Sequence, residues 1–527
     1  MEIECLNYTQ DDFTHRFAGR DRQTLSFYQN LTYDEKSIEK VMERSIHPHT
    51  GKLADIMAEG MAPYGLSDKQ EDNLRRLREG ARVIVGGQQA GLFMGPSMIM
   101  HKMLTLLVLV EEVKKNYNYQ AVPVFWIAGE DHDFEEVNHT HIYDHTHRRR
   151  RKITYKPNLT VPMSLGFYRY DPSAMKDTLD RIVEGCGDSG YLREKKSEIE
   201  AMIEQNEYWT ELFHALVHDV FADAGLLIFN SHDEAVRKLE APMFKKMIEN
   251  HEAIDAAFRQ GQQEFIEAHD LSPTIDTETN VHLFSGSRTT RTLLDQQGGS
   301  YLTDKGTLSK DALLEYLEQD PASFSNNVVT RPLMQEMLFN TLIFAGGGAE
   351  VKYWGELHKV FEVMDINMPI VLKRMEIIHE DMRLNKLLDK YGLEVSENLA
   401  ADAEAKKQNL IESATDTTFL DEVDSIADHL DTDYSRLKDK EGREAHRDLI
   451  EANLKVHKKQ LSYLKRRYQL EVKRTLRKEL NDLEEISERL MPGGSLQERI
   501  YHPWMFPIDL EVGRLAYTTQ LTIIKGI

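Results

Sequence analysis

The sequence predicts an α/β protein whose doubly wound, largely parallel sheet is interrupted by insertions and followed by a helical arm. Three observations lead to this prediction. A β-branched run at 81–85 leads through a glycine-rich turn into an apolar helix, and an apolar strand follows at 121–128. Further short apolar runs are typical of buried strands, at 225–229, 341–345 and 368–372. No Pro or Gly occurs from Glu444 to Leu490, where apolar residues recur at helical spacing.

The stretch from 81 to 128 is predicted to be a βαβ unit. The run at 81–85 ends in two glycines, Pro96 suits a first helical turn, and Met98 to Val110 continues as an apolar helix. The strand at 121–128 is apolar almost throughout, as expected for a strand that is buried on both faces. The connection between the two strands should therefore be right-handed.

The length of 527 residues predicts two or three structural units, because it exceeds what one hydrophobic core usually holds. We place the α/β core at 1–376, and the long intervals between its strands predict insertions at about 145–205 and 240–325. The helical arm is predicted at 377–491. Residues 492–527 are expected to form a closing segment that packs on the core.

The arm is predicted to contain one long helix from Glu444 to Leu490. Its apolar stripe runs through Leu454, Leu461, Leu464, Tyr468, Val472, Leu476, Leu480, Leu483, Ile486 and Leu490. At 1.5 Å per residue such a helix would be roughly 70 Å long. It needs a packing partner, which either the segment 400–429 or a second subunit could supply.

Composition and charge exclude several classes of protein. The net charge of −23 argues against a nucleic-acid binder, because phosphate contacts need clustered Lys and Arg. The two cysteines, Cys5 and Cys186, form neither a four-Cys zinc site nor a disulfide framework. The start of the chain lacks a signal-peptide pattern, and the longest apolar stretch, 103–110, is too short to span a membrane. We therefore expect a cytoplasmic protein that binds neither membranes nor nucleic acid.

The most informative motif lies between the first predicted strand and helix. Several glycines there would let the backbone turn sharply and approach an anionic ligand at the helix start. It is neither a P-loop nor a G-x-G-x-x-G fingerprint, and a tight turn without a ligand is the alternative. The candidate binding residues are Gly87, Gln88, Gln89, Gly91, Gly95 and the nearby His101.

A cluster of acids and imidazoles follows the second strand. Glu130, Asp131 and His132 lie where α/β sheets bind ligands, so they are the candidate catalytic residues. They could act as bases, bind a substrate amine or hold a cation, although the histidines here follow no recognised metal-ligand spacing. The alternative is a capping cluster for the next helix. No metal site is predicted.

A second glycine run repeats this arrangement at the end of the strand at 341–345. Gly346 would allow close approach, Glu350 and Tyr353 could orient hydroxyl or amine groups, and Trp354 could instead staple the loop. Three arginines are candidate clamps for carboxylate or phosphate groups, although each alone could be a surface ion pair. They are Arg288, Arg291 and Arg331.

Four strings together resemble the BshC-type cysteine-adding enzymes of bacillithiol biosynthesis. They are GGQQAGLFMGPSMIMHK at 86–102, AGEDHDFEEVNH at 128–139, the block from RPLMQE at 331 through AGGGAEVKYWGEL, and GGSLQER at 493–499. The resemblance implies a Rossmann-like core with two connecting-peptide insertions and a coiled-coil arm that forms a homodimer. It also implies the addition of cysteine to the amine of glucosaminyl-malate.

Within that resemblance, Gly87 to Gly95 would accept a nucleotide or an acidic ligand, and Glu130 to Asp133 would bind the amine or cysteine. The glycine pattern is distantly similar to the first signature of tryptophanyl and tyrosyl tRNA synthetases. The chain departs from their pattern, because it has no HIGH histidine pair and no KMSKS string, only Leu372-Lys373-Arg374 in the comparable place. ATP or ADP is therefore an expectation of the resemblance alone. The alternative function is a non-catalytic ligand-binding scaffold that recruits a partner through its coiled coil.

Overall fold

The fold was analysed in a computed structural model that describes residues 2–8, 11–157, 163–186, 190–287, 290–506 and 512–526. The strands are β1 (Glu2–Leu6), β2 (Val83–Gln88), β3 (Val122–Ile127), β4 (His139–Asp144), β5 (Arg149–Thr154), β6 (Leu227–Asn230), β7 (Leu283–Ser285), β8 (Thr292–Leu293), β9 (Asp295–Gln297), β10 (Ser300–Thr303), β11 (Gly306–Ser309), β12 (Phe324–Asn326), β13 (Thr341–Gly346), β14 (Ile370–Lys373), β15 (Glu376–Glu380) and β16 (Leu521–Lys525).

The helices of the first half are α1 (Asp12–Ala18), α2 (Arg22–Ser26), α3 (Glu35–Met42), α4 (Thr50–Met61), α5 (Asp68–Arg78), α6 (Met98–Tyr117), α7 (Phe134–Val137), α8 (Pro172–Cys186), α9 (Gly190–Gln205), α10 (Trp209–Phe221), α11 (Glu234–Glu249) and α12 (His251–His269). Those of the second half are α13 (Lys310–Gln319), α14 (Arg331–Leu338), α15 (Gly348–Glu356), α16 (His358–Val363), α17 (Met382–Tyr391), α18 (Leu399–Ala414), α19 (Thr417–Lys440), α20 (Glu444–Thr475), α21 (Arg477–Leu490) and α22 (Gln497–Ile500).

A five-stranded parallel sheet forms the centre of the first unit, with the strand order β6-β3-β2-β13-β14. Numbered along the chain, this is the order 3-2-1-4-5 of a Rossmann-like sheet, so the predicted fold class is confirmed. All residues of β3, β13 and β14 are buried, because helices cover both faces. The order in which successive strands are added to the sheet reverses between β2 and β13, which is the switch point where such sheets bind ligands.

Smaller elements interrupt this sheet at two points along the chain. Between β3 and β6 lie the antiparallel β4–β5 hairpin and helices α7 to α10. Between β6 and β13 lie α11 to α14 and two three-stranded sheets of order β12-β7-β8 and β11-β10-β9.

The end of the chain belongs to the first unit. Compact unit one comprises Met1–His379 and Leu496–Ile527, and unit two comprises Glu380–Ser495. In unit one, β16 pairs antiparallel with β1. The His502 amide donates a hydrogen bond to the carbonyl of His141 at 2.8 Å, and the Trp504 ring packs on Phe93. The closing residues are therefore part of the fold around the β2–α6 connection.

The second unit is a pair of antiparallel helical layers, in which α18 packs against α21 and α19 against α20. Ion pairs such as Lys465–Asp424 at 2.7 Å and Lys458–Asp431 at 2.5 Å join α19 to α20. The helical coiled-coil class predicted for the arm is confirmed. The packing partner of α20 and α21 comes from within the same chain.

The expectation of one unbroken helix from Glu444 to Leu490 is wrong. The helix breaks at Leu476, which separates α20 from α21. At the break, the Thr475 hydroxyl donates a 2.8 Å hydrogen bond to the carbonyl of Val472. A side-chain hydroxyl that bonds to the preceding turn commonly bends a helix, and this needs neither Pro nor Gly.

Among the residues that the structure describes, no helix is both long enough and apolar enough to cross a membrane.

Candidate active site

A cavity of about 600 Å³ opens at the carboxyl ends of β2, β3 and β13, on both sides of the switch point. Residues from the β2 end, the β3 end, the start of α15 and the insertion after β6 line it. The lining residues are Gly87, Gln88, Gln89, Met98, Lys102, Ala128, Glu130, Asp131, His132, Asp276, Thr277, Phe284, Arg291, Leu293, Asn326, Asn327, Val328, Arg331, Gly347, Gly348, Ala349, Glu350, Tyr353, Arg374 and Arg499.

Lys102 and Glu350 form an ion pair at the floor of the cavity, in which the lysine is buried and the glutamate is partly exposed. The Lys102 ammonium lies 2.5 Å from a Glu350 oxygen and also donates to the Gly87 carbonyl at 2.6 Å and to the Gln88 side chain at 2.9 Å. Burial lowers the pKa of Lys102, and Glu350 opposes this effect. Burial alone would raise the pKa of Glu350, but Lys102 and Arg331 hold it below its usual value. Glu350 is therefore held in its charged form, and its carboxylate limits how far burial lowers the pKa of Lys102.

Arg331 and Tyr353 extend this network. The Arg331 guanidinium donates to the Tyr353 hydroxyl and lies 3.8 Å from Glu350. Burial raises the pKa of Tyr353 to about 12, so its hydroxyl keeps its proton at neutral pH. The same Glu350 carboxylate also accepts the Gly347 amide at 2.7 Å and thereby fixes the start of α15. Gly348 and Ala349, the first residues of α15, line the cavity. The cationic side chains of Lys102, Arg331 and Arg374 line it as well.

Asp131 is saturated with hydrogen bonds. It accepts the Gln89 side-chain amide at 2.6 Å and the backbone amide of His132 at 2.7 Å, and Arg291 lies 3.8 Å away. Burial would raise the pKa of Asp131, but these donors hold it below its usual value. A carboxylate held this strongly in the ionised form is a poor proton acceptor.

His132 is bound by Arg291, which comes from the insertion after β6. A guanidinium nitrogen lies 3.0 Å from His132 Nδ1, and since arginine can only donate, Nδ1 is the acceptor in this contact. The Arg291 guanidinium also stacks on the Phe284 ring at 3.8 Å. Arg291 thus connects the insertion to the acidic cluster that follows β3.

Glu130 is the least exposed carboxylate of the cluster, at 5%. The buried Ser231 hydroxyl donates to its carboxylate, and the Arg237 guanidinium lies 3.7 Å away. Arg237 in turn binds Glu240 at 2.7 Å. Burial raises the pKa of Glu240 to about 7. Two residues, Ser231 before α11 and Arg237 on α11, therefore hold Glu130, and Glu240 binds Arg237.

Of the binding and catalytic residues proposed from the sequence, the cavity brings together ten. They are Gly87, Gln88, Gln89, Glu130, Asp131, His132, Arg291, Arg331, Glu350 and Tyr353. Their roles remain predictions. Arg288 lies outside the described residues.

Five other candidates lie away from the cavity. A Cβ atom on Gly91 would lie 2.0 Å from the Gly95 carbonyl, and one on Gly95 would lie 2.6 Å from the Thr140 hydroxyl, so both glycines are needed for packing against protein. His101 is a fully buried residue of α6, and the Trp354 ring is fully buried and stacks on Phe344. Gly346 lies beneath the lining, where its carbonyl accepts the Arg374 amide at 2.7 Å.

The helix start that the sequence nominated for an anion is also covered. Ser97 precedes α6, and its amide donates to the Tyr501 carbonyl at 2.8 Å. The residues from Leu92 to Met94 are buried. The glycine-rich connection therefore supports the closing segment, and only its first residues, Gly87 to Gln89, reach the cavity.

Sequence reasoning missed the cationic residues Lys102, Arg374 and Arg499. Lys102 carried a usable signal, because it is a single charge within the apolar helix Met98–Val110. Arg374 could be suspected from its position after the last strand. Arg499 lies in the GGSLQER string, and no local pattern connects it to a site formed by β2, β3 and β13.

Comparisons with known proteins agree with this architecture. Residues 1–375 match the family model described as the bacillithiol biosynthesis BshC N-terminal Rossmann-like domain, and residues 379–518 match the BshC C-terminal coiled-coil domain.

Several curated proteins carry the name "Putative cysteine ligase BshC". One from Staphylococcus carnosus (strain TM300) is 36% identical, and the alignment covers 99% of this chain and 100% of that protein. One from Staphylococcus saprophyticus is 37% identical, with 98% of each chain covered. One from Staphylococcus aureus (strain RF122) is 36% identical, with 99% of each covered. With both domains matched and relatives aligned over nearly their full length, this chain belongs to the BshC family of bacillithiol biosynthesis.

Proposed function

We propose that this protein joins cysteine to glucosaminyl-malate, through an amide bond between the cysteine carboxyl carbon and the amine of the sugar conjugate. The observation that carries the proposal is the charge arrangement of one cavity. The cationic groups of Lys102, Arg331 and Arg374 line it together with the carboxylates of Glu130 and Asp131, which follow β3. The first set suits anionic groups and the second suits an amine.

Amide formation requires three things of such a site. The malate carboxylates need donors, for which the guanidinium groups of Arg331 and Arg374 are suited. The amine loses a proton when its nitrogen bonds to the carboxyl carbon, so a base must receive that proton. One carboxyl oxygen of cysteine must leave, which in water requires a leaving group.

Glu130 is our proposed proton acceptor. Asp131 is engaged by backbone and side-chain donors and has a lowered pKa, whereas Glu130 faces the cavity with Ser231 and Arg237 holding it from behind. His132 would bind rather than take up the proton, because its Nδ1 is occupied by Arg291. Glu350 and Tyr353 would orient sugar hydroxyls.

We propose ATP as the co-substrate. One of its phosphorus atoms would bond to a carboxyl oxygen of cysteine, and that oxygen would leave on the phosphate when the amide forms. We propose the start of α15 as the phosphate site, because Gly348 and Ala349 line the cavity next to Lys102 and Arg331, while the Gly347 amide already donates to Glu350. A Cβ atom on Gly347 would meet nothing closer than a Glu350 oxygen at 3.4 Å. The Gly91–Gly95 connection is filled by protein and does not fit. A ligase of small metabolites would act in the cytoplasm, which we propose as its location.

We also propose that the arm forms a homodimer. On α20, the residues Leu449, Val456, Tyr463 and Leu470 are 69%, 55%, 50% and 43% exposed and recur every seven positions. A repeat of seven keeps one apolar face turned toward a second helix, so a second copy of the chain fits this face.

The function is tested with purified protein, cysteine, glucosaminyl-malate and ATP, by measuring bacillithiol with mass spectrometry. We expect cysteine-dependent product, and a loss of 10²-fold or more in Glu130→Gln, the usual range for removal of a general base. Deletion of the gene in a bacillithiol-producing host should leave glucosaminyl-malate to accumulate. Tight nucleotide binding without turnover, in a host that still makes bacillithiol after deletion, would instead favour the scaffold function.

A further inference from the structure

The helix α22 connects the closing segment to the rim of the cavity through three consecutive side chains. The side-chain oxygen of Gln497 accepts a hydrogen bond from the His379 backbone amide at 2.8 Å, and its side-chain nitrogen donates to the His379 carbonyl at 3.0 Å. Arg499 lines the cavity itself and lies 3.8 Å from Glu376. Between them, Glu498 points into the protein and is fully buried. The string that carries these residues therefore belongs to the wall of the cavity.

Glu498 binds three groups at once. One carboxylate oxygen accepts the His101 ring nitrogen Nδ1 at 2.6 Å and the Ile377 amide at 3.1 Å. The other lies 2.5 Å from a guanidinium nitrogen of Arg374. The His101 ring and the Ile377 amide hold the first oxygen, so the carboxylate of Glu498 cannot rotate. Its second oxygen therefore stays in one position beside Arg374.

Arg374 is held at several points. Its amide donates to the Gly346 carbonyl at 2.7 Å, and one guanidinium nitrogen donates to the Met375 carbonyl at 2.8 Å. Its side chain is 2% exposed, yet it lines the cavity together with Lys102 and Arg331. Glu498 and the Met375 carbonyl thus hold the guanidinium group in place.

Stability alone is a weak reason for this arrangement. A buried ion pair seldom contributes more than well-packed apolar side chains of the same volume, because both charges must be removed from water. An orienting role accounts for it better, since recognition of an anionic oxygen group depends on the direction of the guanidinium donors.

We propose that Glu498 is a positioning residue, which orients Arg374 to bind an anionic oxygen group of a substrate in the cavity. The inference rests on the proposed function and extends it to the closing segment of the chain. The anionic group is either a carboxylate of glucosaminyl-malate or a phosphate of ATP. His101 takes part only by holding Glu498.

The test compares wild-type protein with Glu498→Gln, Arg374→Met and the double variant. Thermal unfolding gives the stability of each, and calorimetry measures the binding of glucosaminyl-malate and, separately, of ATP. Binding needs no turnover, so a wild-type protein that binds but forms no bacillithiol contradicts the proposed function and not this inference.

We expect each single variant to lose stability, because one buried charge is left without its partner, and the double variant to regain it. Binding of one of the two probes should weaken about tenfold or more in all three, and no further in the double variant than in Arg374→Met. Weakened binding of glucosaminyl-malate identifies a carboxylate, and weakened binding of ATP identifies a phosphate. Wild-type affinity in Glu498→Gln or in the double variant would overturn the proposal, as would a wild-type protein that binds neither probe.

Discussion

The Lys102 ammonium lies 2.5 Å from the Glu350 carboxylate, in a contact where the lysine side chain is only 2% exposed. Replacement of Lys102 by Met should therefore lower the free energy of unfolding by about 1–3 kcal/mol, because Met donates none of the hydrogen bonds that the ammonium gives to Gly87, Gln88 and Glu350. Lys114→Met, at an exposed position of the same helix, is the matched control and should change it by less than about 0.5 kcal/mol.

Tryptophan fluorescence during urea unfolding measures this difference. The four tryptophans, Trp126, Trp209, Trp354 and Trp504, all lie in unit one, so the signal reports that unit alone. Equal midpoints for Lys102→Met and Lys114→Met would contradict the importance of the pair. Lys102→Met should also fail to form bacillithiol if the cavity is the active site.

Two glycines that look alike in the sequence should behave differently. Gly91→Ala places a Cβ atom 2.0 Å from the Gly95 carbonyl, so we expect a loss of roughly 2 kcal/mol or more from overpacking. Gly347→Ala meets nothing closer than 3.4 Å and has an extended backbone that any residue adopts, so it should fold normally.

The contrast is measured by thermal unfolding and by ATP binding on the same samples. Gly347→Ala should keep the wild-type melting temperature and bind ATP more weakly, because its methyl group lies in the cavity at the start of α15. A stable Gly91→Ala protein with a selective binding defect would instead restore the ligand role that the sequence suggested for Gly91.

The sheet could be predicted from the sequence because each central strand is a short apolar run. A run of this kind is typical of a strand that is buried on both faces. The candidate acids and glycines followed from the same strands, since parallel strands end at one edge of the sheet. Glu130 and Glu350 are far apart in the chain but reach one cavity for that reason.

The remaining features depend on tertiary contacts that no local pattern contains. His101 and Lys102 are neighbours on α6. The way α6 packs against the sheet determines that Lys102 reaches the cavity and that His101 binds Glu498. The role of Gly91 depends on the position of Gly95, and the role of Arg499 depends on the return of the chain after the arm. The break at Leu476 lies where its backbone leaves the helical region, at φ −91° and ψ 8°, and neither Pro nor Gly marks this position.

The buried carboxylate of Glu240 should make stability depend on pH. Its pKa is about 7 in the folded protein, above the ordinary value of 4.5, so its favourable contribution is complete below pH 4.5 and is lost as pH rises through 7. Glu240→Gln cannot titrate. The variant should therefore gain stability relative to wild type by on the order of 1–3 kcal/mol between pH 5 and pH 8.

Urea unfolding at both pH values, followed by tryptophan fluorescence, checks the sign. Glu249→Gln, at an exposed position of the same helix, is the matched control and should show no such gain. A Glu240→Gln protein that loses stability relative to wild type on going from pH 5 to pH 8 would show that Arg237 keeps Glu240 ionised.

The exposed apolar face of α20 should hold two copies of the chain together. Because Leu449 and Val456 are more than half exposed, charges there should separate the copies without disturbing the packing of α20 on α19. We expect the double variant Leu449→Glu/Val456→Glu to sediment as a monomer, with wild-type helix content by circular dichroism and an unchanged fluorescence melting curve. Gln469→Glu adds a charge at an exposed position off this face and should leave the dimer intact. Leu483→Glu differs from both, because Leu483 is fully buried within the arm and a charge there should reduce helix content. A wild-type chain that sediments as a monomer, or a Leu449→Glu/Val456→Glu variant that remains a dimer, would exclude this face as the interface.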